Sequence, residues 1–116
     1  MSRKYELALD VYVPGYDSEL ERKTFEACQS LFPFEDFEVW DSFREDGRRM
    51  VMVACGELAT DDFPSSVFAR KLAEAVWKAT GRFLRVELRA TDLEDLPYDT
   101  TVMDEDDFRQ WKSKGG

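Results

Sequence analysis

Arg48-Arg49-Met50-Val51-Met52-Val53-Ala54-Cys55-Gly56-Glu57-Leu58 is the stretch that decides the fold. Met50 to Cys55 are apolar at every position, so as a strand they present apolar side chains to both faces of a sheet. A sheet in a small protein ordinarily buries one face and wets the other. Glu45-Asp46-Gly47 just before it reads as a turn, because Gly tolerates positive φ. Phe37-Glu38-Val39-Trp40-Asp41-Ser42-Phe43 before that turn reads as a partner strand, which makes the pair a hairpin.

Outward from the hairpin, Tyr5, Leu7, Leu9, Val11 and Val13 alternate with Glu6, Ala8, Asp10 and Tyr12, a period-two strand stopped by Pro14-Gly15. Ser18 with Glu21 forms a capping box that opens a helix carrying Leu20, Thr24, Ala27, Cys28 and Leu31 on one stripe, ended by Pro33. A second helix is expected over 63–80, with Asp61 and Asp62 at its start and Gly81 as its left-handed stop. Its core stripe is Phe68, Leu72, Ala75, Val76 and Ala79, which leaves Trp77 nearly opposite, near Ala73. Leu84, Val86 and Leu88 alternate with Arg85, Glu87 and Arg89 in a last strand. The order βαββαβ gives an α+β fold of the ferredoxin-like type: a four-stranded antiparallel sheet, two right-handed crossovers and two helices on one face.

The chain is 116 residues with 43% hydrophobic and 14% aromatic content, enough for one globular domain with a core. No apolar run is long enough to cross a bilayer and no N-terminal segment resembles a signal peptide, so cytoplasmic residence is expected. The two cysteines, Cys28 and Cys55, fit no metal or redox spacing and read as reduced, buried thiols. Residues 92–107 hold eight acids and no base, which leaves 17 of the 25 acids against 16 bases elsewhere. The net charge of −9 is therefore concentrated in one segment. That divides the chain into a domain over 1–91 and an acidic C-terminal extension over 92–116. The extension is expected to end in a short helix capped by Asp104 and Asp107, with Phe108 and Trp111 on one side.

With no histidine the chain lacks the usual base for Ser or Cys nucleophiles and the commonest transition-metal ligand. Its glycines make no phosphate-binding fingerprint. Asp92, Glu94, Asp95 and Asp99 do not follow the spacing of an EF-hand, and Asp104–Asp107 fan around a helix instead of converging. No catalysis and no cofactor are expected. Arg82, Arg85 and Arg89, with Arg48 and Arg49, form a basic streak, and Tyr12 and Trp40 offer aromatic platforms. The acid run opposes phosphate, so direct nucleic-acid or membrane binding is not expected.

The expected function is a non-catalytic protein-interaction or regulatory domain. Asp104, Glu105, Asp106, Asp107, Phe108 and Trp111, aided by Trp77, would engage a basic protein surface: acids steer encounter and aromatics hold. The second face of the sheet, with Tyr12, Trp40, Met50 and Met52 as candidates, would be covered by the folded-back tail (Leu93, Leu96, Tyr98, Phe108, Trp111), by a second copy in a homodimer, or by a different partner docked there. A small-molecule-binding regulatory domain and an acidic nucleic-acid mimic are the alternatives.

Overall fold

The computed structural model describes residues 2–15, 17–41, 47–59, 65–94 and 98–116. They form β1 (Ser2–Pro14), α1 (Ser18–Gln29), β2 (Glu38–Asp41), β3 (Gly47–Ala59), α2 (Ser65–Thr80), β4 (Arg85–Asp92), β5 (Tyr98–Met103) and α3 (Glu105–Ser113). The protein is α+β, with one antiparallel sheet in the order β2-β3-β1-β4-β5 and three helices.

The sheet has five strands where four were expected. Part of the acidic segment, Tyr98-Asp99-Thr100-Thr101-Val102-Met103, pairs along β4, from Val86 opposite Met103 to Thr91 opposite Tyr98. The cause is local: Thr100, Thr101 and Val102 are β-branched and Tyr98 is aromatic, all residues that suit a pleated strand. Charge in the flanking residues obscures that propensity.

β1 pairs with β3 on one side and β4 on the other. Its odd-numbered residues Leu7, Leu9, Val11 and Val13 are buried, together with Met50, Met52 and Leu58 of β3 and Val86, Leu88 and Ala90 of β4. Met50 and Met52 therefore lie under the helices and do not belong to the open face; parity on β3 sends Val51, Val53 and Cys55 there instead. α1 contributes Leu20, Thr24 and Cys28 to the same core, and Glu21, also buried, reaches Arg48 of β3 at 3.2 Å. Its cap lies one residue earlier than the sequence suggested. The Asp17 carboxylate accepts from the backbone N–H groups of Glu19 and Leu20 at 3.1 Å, and Ser18 is the first helical residue. Leu31 lies beyond the helix end and is exposed. The expected turn at Glu45-Asp46 and the acids Asp61 and Asp62 lie outside the described residues.

The buried face of α2 is Phe68, Ala69, Leu72, Ala73, Val76 and Trp77, rotated from the expected stripe, so that Ala79 is exposed and Trp77 is 1% exposed. The Trp77 indole Nε1–H donates to the Leu84 carbonyl at 2.8 Å, and the Phe108 ring meets it edge-on with centroids 5.3 Å apart. Trp111 and Phe83 complete the cluster at 5.7 and 6.3 Å. α3 thus folds back, but onto α2 and away from the sheet. An indole with a satisfied N–H in an apolar cluster is more stable than one in water, and the tail aromatics supply that cluster. Asp104 and Asp107 close α3 with a reciprocal capping box.

Phe32 is buried between the end of α1, β3 and α2, 5.9 Å from the Phe68 ring. Gly56 makes room for it: a Cβ at position 56 would lie 2.8 Å from Phe32 Cζ and 3.2 Å from Pro33 Cγ. Gly56→Ala is expected to lower stability by about 1–3 kcal/mol, the usual cost of overpacking a filled site. Urea unfolding measures it, and an unchanged midpoint would mean that Phe32 moves aside without cost.

Candidate functional site

Even-numbered residues of β1 and their cross-strand neighbours form the face of the sheet turned away from the helices. The register places them in rows across the strands. The first row is Trp40, Arg49, Tyr12 and Arg85, and the second is Glu38, Val51, Asp10, Glu87 and Val102. The third is Val53, Ala8, Arg89 and Thr100, and the fourth is Cys55, Glu6, Thr91 and Tyr98.

This face collects apolar surface. Trp40 (54% exposed), Val53 (53%), Tyr98 (66%) and Val102 (38%) all stand on it, and only Leu31 and Leu93 are large exposed hydrophobics elsewhere among the described residues. Single exposed apolar residues are normal; these four share one face, spread from Trp40 on β2 to Tyr98 on β5 with Tyr12, Val51 and Ala8 among the residues between them, and such a concentration of apolar groups on one face marks an interaction surface.

Charges are interleaved with the apolar groups. The Arg85 guanidinium lies 5.1 Å from the Tyr12 ring centre and that of Arg89 6.0 Å from the Tyr98 ring, both within cation–π range. Arg49 approaches the Asp10 carboxylate at 3.7 Å. Asp10 and Glu87 stand directly opposite each other on neighbouring strands, a like-charge pair that opposes folding. Burial pushes the Asp10 carboxyl above the ordinary 3.8; Glu87 pushes the same way, while Arg49 and Arg89 pull it back. Between these groups lies a shallow hollow of about 280 Å³ lined by Asp10, Val51, Val53, Glu87 and Arg89.

The two thiols differ, where both were expected to be buried. Cys28 is buried and its thiol is pushed up to about 12 by loss of solvent. Cys55 is exposed, on the fourth row of the open face. Among the described residues no group of three or more His, Cys, Asp or Glu side chains is placed to hold a metal ion, and no helix is long and apolar enough to cross a membrane.

The sequence-based candidates fall into three places. Tyr12 and Trp40 share the first row of the open face, whereas Met50 and Met52 lie in the core. Trp77, Phe108 and Trp111 converge with one another on the far side of the molecule. There the acids serve their own helix: Asp104 and Asp107 cap it, while Glu105 and Asp106 pair with Arg109 at 2.7 and 3.2 Å. Leu96 lies outside the described residues. Val51, Val53, Tyr98, Val102 and the facing pair Asp10 and Glu87 were not singled out for the open face by the sequence. The parity of Leu7 to Val13, carried across a known register, is the signal that finds them.

Because the folded chain holds the Asp10 proton more tightly than the unfolded chain, the carboxylate costs stability as pH rises above the ordinary 3.8, and that cost vanishes as pH falls below it. Asp10→Asn removes the titration. The variant should be at least as stable as the parent at neutral pH, with the advantage fading in acid, as read by urea unfolding across pH. A variant weaker than the parent at neutral pH would show that the pairing with Arg49 outweighs burial.

Compared with protein-family models, with curated proteins and with solved structures, the chain finds no match.

Proposed function

We propose that the protein is a non-catalytic, protein-binding module that works through the open face of its sheet, and that its first four strands form a ferredoxin-like unit extended by β5 at one edge. The strand order β2-β3-β1-β4 with its two helical crossovers supports the fold reading. One observation carries the function: among the described residues, four of the six large exposed hydrophobics stand on this one face, spread from β2 to β5 between arginines and carboxylates. A flat, mixed surface of this kind suits a protein partner, since aromatic and arginine anchors dominate such interfaces.

The acidic C-terminal segment is assigned a smaller part than its charge suggests. Its Phe108 and Trp111 are consumed in covering Trp77, its Tyr98 stands on the open face, and its four consecutive acids stabilise α3. They contribute long-range field, which alters encounter rates more than affinity. The lack of histidine and the burial of Cys28 support a non-catalytic reading. The hollow beside Asp10, Glu87 and Arg89 favours one second reading, a small charged ligand on the same face; a ligand panel that raised the melting midpoint would establish it.

Cys55 provides the test. In dilute purified protein a maleimide should modify Cys55 as an exposed thiol and leave Cys28 untouched until the chain unfolds. In a fresh extract of cells holding the protein, a partner present at ten times its dissociation constant should slow Cys55 labelling about tenfold. Equal rates in the two samples would remove the open face as a binding surface.

A further inference from the structure

We propose that the partner of the open face is a second copy of this chain, stacked sheet to sheet about a two-fold axis that runs across the strands between the Asp10 row and the Ala8 row. The proposal rests on the open face being the binding surface, and it names the occupant.

Charge placement selects this axis. A rotation about it lays the second row of one copy on the third row of the other, and the first row on the fourth. Glu87 then faces Arg89 of the second copy, Val51 faces Val53, Tyr12 faces Glu6, and Asp10 faces Ala8 with Arg89 beside it. Each contact occurs twice, as isologous symmetry requires. Arg49 meets Cys55, and no like charges are opposed. An axis along β1 instead lays each row on itself, which sets Asp10 against Asp10 and Arg49 against Arg85. That arrangement is repulsive.

The four rows carry Arg49, Arg85 and Arg89 against Glu6, Asp10, Glu38 and Glu87, so the face is nearly neutral on a chain of net charge −9. Self-association is therefore not opposed where the copies touch, and the excess acid stays at the periphery. Fourteen of the 17 residues in the four rows face a counterpart about this axis, all but Trp40, Glu38 and Tyr98. With strands about 4.8 Å apart and rows about 7 Å apart they give a footprint of roughly 470 Å² per copy. Two such faces total roughly 940 Å², the size of a weak, concentration-dependent contact, below the roughly 1,200 Å² of the standard stable interface. Aligned sheets stack about 10 Å apart with inner side chains interdigitating, a spacing that the Val51 and Val53 side chains can fill.

Sedimentation equilibrium on the full chain, over a range of concentrations, is the experiment. The parent should move from 13.5 kDa towards twice that mass as concentration rises, and Cys55 should become shielded over the same range. Arg89→Glu and Glu87→Arg should each dissociate the dimer at least about tenfold more readily, since each sets like charges face to face. An equimolar mixture of the two variants should associate again. Circular dichroism confirms that both variants fold. A parent that stays at 13.5 kDa throughout overturns the proposal. If Cys55 is nevertheless shielded in extract, the open face binds a different protein and the functional reading survives; if it is not, both fall. A dimer unaffected by either variant also overturns the proposal, because it uses another surface.

Discussion

The structure depends on the double pairing of β1. A strand with a neighbour on each side has no free backbone edge, and its residues can only point to one face or the other. β1 satisfies this by alternating strictly: Leu7, Leu9, Val11 and Val13 point under the helices, and Glu6, Ala8, Asp10 and Tyr12 point away from them. Burying one such aliphatic side chain is worth roughly 1.5–3 kcal/mol, so a one-residue slip in register would invert the pattern at a cost comparable to the stability of a small domain. β3 and β4 inherit their parity from this register, and with it the division of Met50–Cys55 between core and open face. Both pairings join segments distant in sequence, so the closure of long loops precedes the gain from burial, a topology associated with slow folding.

How much of this was legible in the sequence follows from which patterns were clean. β1 reads directly because polar and apolar residues alternate along it. The run Met50–Cys55 does not, since an apolar strand carries no parity of its own and only pairing with β1 assigns its faces. The run taken alone therefore offers Met50 and Met52 to the open face, whereas its register with β1 buries them and turns Val51 and Val53 outward. The residues of β5 were read by their charge, although Thr100, Thr101 and Val102 carry strand propensity. In α2 the expected stripe through Ala75 and Ala79 is displaced towards Ala69, Ala73 and Trp77. A helix packed against α1 on one flank and β4 and β5 on the other turns its buried arc to the side that carries Ala73 and Trp77.

The helical side and the sheet side of the molecule are consequently treated in opposite ways. On the helical side an otherwise uncovered tryptophan recruits the C-terminal segment, whose Phe108 and Trp111 close over it while its acids complete the helix that carries them. On the sheet side nothing within the described chain plays that role. Apolar and aromatic groups remain exposed there in a lattice of alternating charge, and this asymmetry supports placing recognition on the sheet, β5 included, and structure in α3.

The positions of the three tryptophans give this asymmetry an optical consequence. Trp40 sits alone in solvent on the open face, whereas Trp77 and Trp111 lie ring to ring with centroids 5.7 Å apart in an apolar cluster. Emission from Trp40 belongs at the red, water-exposed end and is open to aqueous quenchers. The paired indoles emit further to the blue and are close enough for their transitions to couple, giving a signed near-ultraviolet circular dichroism band that vanishes once α3 lifts from α2. One unlabelled molecule thus carries two separable spectral channels, one for each side of the sheet.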